Sequence, residues 1–377
     1  MDAAQFDLDA RQRELLDRAR AAGRALDPIA RAGEPRRVNR PLVRALAEHG
    51  LLARLFGRDD AGGRIRALDL CLLREGLACE CTEAETALAL QGLGAFPIAD
   101  AGGADVAHWV DAAARGDAVA AFALSEPDAG SDAGALSLRA ERDGDGYRLS
   151  GTKTWISNAP DADVYTVFAR SEDDPGARGV TAFVVAGDAA GVTGERLELV
   201  AEHPVGRLEL DGVRVPAGHV LGRPGEGFAV AMRTLDLFRP SVGAFAVGMA
   251  QTALEAATGH AASRRAFGRP LREFQAVSHR LADMATRTRA ARLLVYSAAA
   301  AYDSGARVTK EAAMAKLYAT EAAQEVIDAA IQIHGARGLE RGHVLEHLYR
   351  DVRATRIYEG TSEIQREIVA RELYRDA

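Results

Sequence analysis

The chain has 377 residues, too many for one small core and enough for two or three packed units. Hydrophobic residues make up 48% and charged residues 27%, the balance of a soluble globular protein, and a net charge of −7 argues against a general nucleic-acid surface. No apolar run reaches the roughly 18 residues needed to cross a bilayer, and the acidic start MDAAQFDLDARQRELL lacks the apolar segment of a signal or transit peptide. A cytoplasmic location is expected.

Residues 1 to about 118 are rich in Ala, Leu and Arg at helical spacing. Asn39 before Pro41 marks a helix start, with Leu42, Leu46 and His49 on one face. The three cysteines, Cys71, Cys79 and Cys81 in CLLREGLACEC, match no zinc spacing and have no histidine beside them, so buried thiols in a reducing compartment are expected. GADVAHWVDAAARGD reads as an amphipathic helix ended by Gly116.

The period changes between about 119 and 222. YRLSG, VYTVFARS, VTAFVVAG and RLELDGVRV carry apolar or β-branched residues at alternate positions, with turn signals DGDG, DDPGARG and AGDAAG among them. These runs predict a compact β unit. From about 223 the helical period returns in three long segments. Pro240 is expected to kink the first or mark its early part, Gly305 to stop the second and Gly335 the third. A fourth helix is expected to begin in RIYEGTSEIQ, where Ser362 and Gln365 fit a capping box. Long helices with short links predict a bundle.

Several short stretches have the residue types of a site. FALSEPDAGSDAG offers the hydroxyls of Ser125 and Ser131 and small residues for close backbone approach, which is also the composition of a surface turn. GTKTWISNA holds Trp155, one of two tryptophans, suited to cover a cofactor ring or to fill a core. SRRAFGRPLREFQAV clusters Arg264, Arg265, Arg269 and Arg272, either a pyrophosphate clamp or a solvated loop. Asp236 and Arg239 in LDLFRPS lie three apart on one helix face and among apolar residues, so partial burial of the pair is expected. No strand–GxGxxG–helix unit, Walker loop, HExxH or GxSxG is present.

Taken in order, FALSEPDAGSD, GTKTWISNA, RRAFGRPLREFQ, IQIHGARG and RIYEGTSEIQREIVAREL resemble the acyl-CoA dehydrogenase family over nearly the whole chain. The resemblance implies a mostly α, α+β fold: an N-terminal helical domain (1–118), a middle β-barrel or sandwich domain (119–222) and a C-terminal four-helix bundle (223–377). It also implies FAD as cofactor, dehydrogenation of an acyl-CoA thioester to the trans-2-enoyl-CoA, and electron delivery to an electron-transfer flavoprotein. By the same resemblance, Phe122, Leu124 and Ser125 meet the isoalloxazine edge, while Trp155, Ile156 and Ser157 pack its other side. Arg264, Ala266, Phe267 and Gln275 meet the FAD of a neighbouring subunit. Gln332, Ile333, Gly335 and Ala336 meet the adenosine portion, and Thr361 and Glu363 fall where FAD is bound again. Ser131, Asp236, Arg239 and Gly360 fall on the substrate side. A site shared across subunits implies a homotetramer or, less often, a homodimer.

The resemblance makes Glu359 the base for the α proton. An α C–H beside a thioester is very weakly acidic, so the carboxylate needs burial to raise its pKa, and the enolate oxygen needs donors worth roughly 2.7–4 kcal/mol each. In the family those donors are the base's own backbone N–H and a flavin hydroxyl. One subgroup carries its base just before the arginine matching Arg239; here Phe238 stands at that position and accepts no proton. Departures are Ala266 for a hydroxyl residue, Phe122 for a tyrosine and Asp128 for a glycine. The bulk of Phe238 is expected to favour a short or unusually shaped acyl group. Alternatives on the same fold are an oxidase, a DNA-associated flavoprotein, for which the chain lacks a basic C-terminal extension, and a dehydrogenase of carrier-protein-bound acyl groups.

Overall fold

The computed structural model describes residues 8–57, 63, 65–171 and 176–375. The first seven residues of the acidic start, and part of the DDPGARG turn signal, lie outside the described residues. Helical spacing in the first part of the chain becomes α1 (Ala10–Arg31), α2 (Arg40–Glu48), α3 (Leu51–Leu55), α4 (Ala67–Ala78), α5 (Thr82–Ala101) and α6 (Ala107–Ala114). Asn39 caps α2: its side-chain oxygen accepts from the Leu42 N–H at 3.0 Å. The buried face of α2 is Leu42, Val43, Ala45 and Leu46. His49, expected on that face, is instead the exposed residue at the helix C-terminus, where the chain turns into Gly50.

Eight strands follow among the described residues: β1 (Ala120–Ala123), β2 (Arg139–Asp143), β3 (Gly146–Ser157), β4 (Val164–Arg170), β5 (Val180–Ala186), β6 (Val192–Arg196), β7 (Val205–Pro216) and β8 (Val220–Leu221). They form one sheet in the order β6-β7-β3-β2-β4-β5-β8, with β1 added in parallel to β4. Central β4 and β5 are buried at every residue but the last, which is why they read as near-continuous apolar runs. Edge strand β6 is mostly exposed. The β3–β7 register slips between Lys153 and Ile156, so the strand is irregular at Trp155.

The remaining elements are α7 (Gly227–Ser263), a two-stranded hairpin of β9 (Arg265–Ala266) and β10 (Arg269–Pro270), α8 (Gln275–Asp303), α9 (Thr309–His334), α10 (Val344–Thr355) and α11 (Ser362–Arg375). Helix α7 continues through Pro240 as a single 37-residue helix. Helix α10, with its run VLEHLYRDVRAT, is an additional helix that the sequence reading left out; its short length hides it between α9 and the motif that opens α11.

By internal contacts the described chain divides into two compact units, with cuts inside α1, α5 and α7. One unit is Leu26–Ile65 with Thr86–Leu235. In it α5 seats on the sheet through Gln91 and Gly94. Buried Gln91 accepts from the Ala120 N–H at 2.7 Å and donates to the Ala118 carbonyl at 2.8 Å. The Gly94 carbonyl accepts from Thr166 at 2.9 Å. Ala95, Ile98, Val106, Val110, Val164, Phe168, Val184 and Leu221 form the core under this contact.

The other unit is Met1–Ala25, Arg66–Glu85 and Asp236–Ala377. Its helix α4 is buried along its whole length yet carries Asp69, Arg74 and Glu75. Each is paired: Asp69 with Arg11 at 2.9 Å, Glu75 with Arg292 and the Tyr296 hydroxyl at 2.8 Å, and Arg74 with Glu85. The three cysteines are free and buried, and the described residues include no cluster that could hold a metal.

A Cβ added at Gly94 would stand 2.6 Å from the Ala121 nitrogen. Gly94→Val is therefore expected to force α5 off β1 and cost about 1–3 kcal/mol, read as a lowered denaturation midpoint.

Candidate active site

Between α10 and α11 the backbone makes a left-handed turn at two successive residues, Glu359 (φ 53°) and Gly360 (φ 91°). For Glu359 this conformation costs energy and persists only because neighbours impose it. Buried Gln365 donates its side-chain amide to the Glu359 carbonyl at 3.1 Å and to the Gly360 carbonyl at 3.0 Å. Lys316 of α9 donates Nζ to the same Gly360 carbonyl at 2.7 Å. Glycine suits position 360 because φ 91° is a conformation that L side chains rarely adopt.

The capping box expected of Ser362 and Gln365 does not form. Ser362 is already the first helical residue and is buried, so its hydroxyl turns to α9 and donates to Glu321 at 2.6 Å. Thr361 takes the cap, its hydroxyl accepting from the Ile364 N–H at 3.3 Å. Gln365 is spent on the turn carbonyls instead.

The Glu359 carboxylate is the electrostatic centre of this unit. Its Oε2 is buried and has no hydrogen-bond partner among the described residues. Burial raises its pKa above the ordinary carboxylate range, against the pull of Arg74, Arg239 and Lys316, in that order. Arg239 is buried, with its Nε unpartnered. Its Nη1 lies 3.4 Å from Asp236 Oδ1, so the expected pair is present and partly buried. Burial lowers the Arg239 pKa and raises that of Asp236, each opposed by the other's charge. Phe238, next along α7, is buried and contributes no carboxylate. Arg74 is held by the buried Glu85 carboxylate and by Ser241 Oγ at 2.7 Å. The sequence reading missed Arg74, Glu85 and Lys316; each is one of several charged residues in its helix, and nothing in the local sequence sets it apart.

In the sheet-bearing unit the structure joins two of the motifs. The Thr154 N–H donates to the Ser125 carbonyl at 3.0 Å and Lys153 Nζ to the Leu124 carbonyl at 2.9 Å. Behind these lies a fully buried ion pair, Lys153 with Glu126 at 2.8 Å. Glu126 also accepts from the Ser137 and Leu138 N–H groups at 2.6 and 2.9 Å. Burial opposes ionisation of Glu126, but Lys153 and these donors hold its pKa below the usual range; burial draws Lys153 down to about 8 against the attraction of Glu126. Neither residue stood out in the sequence, although both sit inside the quoted motifs.

On this frame Trp155 is 52% exposed at φ 56°, which rules out a core role. Phe122, Leu124, Ser125 and Ser157 are half-buried, whereas the Ile156 side chain is buried and offers a ligand only its backbone. The hydroxyls of Ser125 and Ser157 have no partner among the described residues. Open aromatic surface beside free hydroxyls and backbone amides is the donor set a flat, polar ring system needs, so these residues fit an isoalloxazine. Ser131 is exposed on the same motif.

The other candidates lie at the surface of the second unit. The β9–β10 hairpin presents Phe267 at 95% exposure and φ 49°, with Ala266 half-buried and Arg264 and Gln275 exposed. Arg265 is tied to the Gly268 carbonyl at 2.7 Å and Arg269 lies over Phe274, so the arginine cluster is partly engaged. Gln332, Gly335 and Ala336 are exposed at the end of α9, with Ile333 half-buried, and Glu363 is exposed beside half-buried Thr361.

Known proteins resemble the chain in sequence and in fold. Residues 225–374 match the family described as "Acyl-CoA dehydrogenase, C-terminal domain" and residues 121–213 the corresponding middle domain. The chain is 38% identical over 333 residues to cyclohexane-1-carbonyl-CoA dehydrogenase of Geobacter metallireducens, covering 87% of each. Butyryl-CoA dehydrogenase of Megasphaera elsdenii superposes with a TM-score of 0.91 at 34% identity, over 99% of this chain and 100% of that one. A chain solved in work on the electron transferring flavoprotein of Acidaminococcus fermentans superposes at 0.93, with 34% identity and full coverage of both.

Glu126→Gln would leave Lys153 buried without a counter-charge, an expected loss of about 3–5 kcal/mol. In the wild type the contribution of Glu126 is complete above the ordinary carboxylate range and is lost as pH falls through its depressed pKa. Denaturant unfolding at a series of pH values should show that acid-dependent part vanish in the variant.

Proposed function

Because the chain belongs to the acyl-CoA dehydrogenase family, flavoprotein oxidoreductases acting on acyl-CoA thioesters, we propose that it oxidises an acyl-CoA across the α,β bond to the trans-2-enoyl-CoA, with Glu359 as the base. The observation that carries this reading is Glu359 Oε2, buried and without a hydrogen-bond partner among the described residues, on a carboxylate raised in pKa by burial and kept ionisable by Arg74, Arg239 and Lys316. Those cations hold the proton acceptor ready before substrate arrives. Excluding water makes it a stronger base than a free carboxylate.

The left-handed turn supplies a second group. The Glu359 backbone N–H makes no hydrogen bond among the described residues, and the carbonyls on either side of the turn are occupied. It is free to donate to the thioester oxygen and to stabilise the charge that develops as the α proton leaves. FAD, when bound, would supply the acceptor for the hydride that leaves the β carbon. Phe122, Leu124, Ser125 and the Trp155–Ser157 strand would hold its ring, and Thr361 and Glu363 would be further FAD contacts. Asp236 and Arg239, with Ser131 and Gly360, would face substrate.

The solvent-exposed Phe267 hairpin supports contact of Arg264, Ala266, Phe267 and Gln275 with the FAD of a neighbouring subunit, in a homotetramer or homodimer. Gln332, Ile333, Gly335 and Ala336 would meet adenosine. An electron-transfer flavoprotein as acceptor is supported by the similar chain solved in work on such a protein. Three buried free thiols suit a reducing compartment, and a cytoplasmic location is part of the same reading. Buried Phe238 beside Arg239 supports a preference for short or unusually shaped acyl groups.

Anaerobic flavin bleaching with butyryl-CoA, cyclohexane-1-carbonyl-CoA and a long straight-chain acyl-CoA tests the reaction and the size preference together. Glu359→Gln should retain FAD and lose roughly 10²–10⁴-fold in bleaching rate; most of the activity surviving would remove Glu359 as the base. In the wild type kcat/KM should fall on acidification through a pKa above the ordinary carboxylate range, because the ionised form is the base.

A further inference from the structure

We propose that Lys316 is a positioning residue for the proposed base: by donating to the Gly360 carbonyl, its buried ammonium fixes the left-handed backbone through which Glu359 presents its carboxylate. The inference rests on the reading of Glu359 as the base.

Lys316 is wholly buried on α9. An ammonium in such a place is costly, and an apolar side chain of similar length would fill the volume without that penalty. Nor is Lys316 needed merely to attach the turn to α9. Glu321, farther along the same helix, accepts from Ser362 Oγ at 2.6 Å and pairs with Arg356 Nη2 at 2.8 Å. Gln365 adds two bonds from α11. The flanks of the turn are thus anchored on both sides without a lysine.

Lys316 contributes two things these contacts do not. The first is a short charged donor to the Gly360 carbonyl, which already receives Gln365 at 3.0 Å. With that carbonyl and the Glu359 carbonyl both pinned, the two peptide planes flanking Gly360 have no freedom to rotate. Gly360 is then held at φ 91°, and the carbonyl side of Glu359, whose own φ is 53°, is fixed with it, with the Glu359 N–H left unbonded. The second contribution is a positive charge beside the carboxylate. Glu359 faces Arg74 from α4, Arg239 from α7 and Lys316 from α9; Arg74 is itself countered by Glu85, and Arg239 by Asp236. Lys316 in turn faces Glu359, Arg239, Glu321 and Glu363, and burial draws its pKa to about 8. It is the one of the three cations that also touches the turn, through Gly360.

Lys316→Met removes donor and charge at similar volume; Lys316→Gln removes the charge and keeps an N–H donor. Both are compared with wild-type holoenzyme for FAD content, anaerobic bleaching by butyryl-CoA and cyclohexane-1-carbonyl-CoA, and the pH profile of kcat/KM. For Lys316→Met, a tenfold or greater fall in kcat with KM within threefold is expected. The acidic limb of kcat/KM should move to higher pH, because Glu359 loses a neighbouring cation. Lys316→Gln should show the same displaced limb with a smaller fall in kcat. A merely structural lysine would lower stability or FAD content and leave the limb in place. Should Lys316→Met not accumulate as holoprotein, Lys316→Gln carries the test alone. An FAD-loaded variant with wild-type kcat and an unmoved limb overturns the proposal while leaving Glu359 as base. A wild-type enzyme bleached by no thioester, or an active Glu359→Gln, overturns both.

Discussion

The carboxylate of Glu359 sits where neither water nor a hydrogen-bond donor reaches Oε2, and much of its unit can be understood as a response to that placement. A buried carboxylate without donors tends to take up a proton. Arg74, Arg239 and Lys316 oppose this, but each is a charge removed from water in its turn. Arg74 therefore requires Glu85 and Ser241, Arg239 requires Asp236, and Lys316 requires the Gly360 carbonyl. The need explains why α4, buried along its full length, is not simply apolar, and why α9 carries a lysine on its inner face.

Strain marks the same places as charge. Among the described residues five non-glycine positions have positive φ, and Trp155, Phe267 and Glu359 are three of them, lying in three of the five motifs behind the family resemblance. Different devices hold each. Trp155 is turned outward where the β3–β7 register slips, while Lys153 and Thr154 before it are tied to Leu124 and Ser125. Phe267 is carried in the two-residue turn of the β9–β10 hairpin, next to Gly268. Glu359 is held through its own carbonyl and that of Gly360. Outliers supported by this many contacts are better explained by what they present to a ligand than by chain connectivity.

Much of the fold was legible because its periods are clean. The β4 and β5 runs, the Asn39 cap and the glycine stops after α6, α8 and α9 follow from local chemistry. What the sequence hid was non-local. Whether His49 faces inward depends on where α2 ends, and the role of Ser362 depends on Glu321, 41 positions away along the chain. In the same way, Glu126 reads as a turn residue until Lys153 is seen beneath it. Arg74 and Lys316 do not stand out among the charges of their helices because their partner, Glu359, arrives from a distant segment. Glu359 itself was found through the family motif, since nothing in its local spacing separates a base from a loop carboxylate.

These cations also constrain how the proposed base works. Raising a carboxylate pKa by burial alone would yield a group protonated before substrate binds, strong as a base only in the form that is absent. Three nearby positive charges pull the other way, so the resting group stays ionised over a wider range of pH. Charge placed this close also disfavours the protonated product of the abstraction step, which returns the base to its ionised form once the proton can leave. The balance therefore depends on how firmly each cation is countered. Glu85 and Asp236 weaken Arg74 and Arg239, while Lys316, held by neutral Gly360 and drawn toward neutrality by burial, is the member of the set whose charge is most open to change.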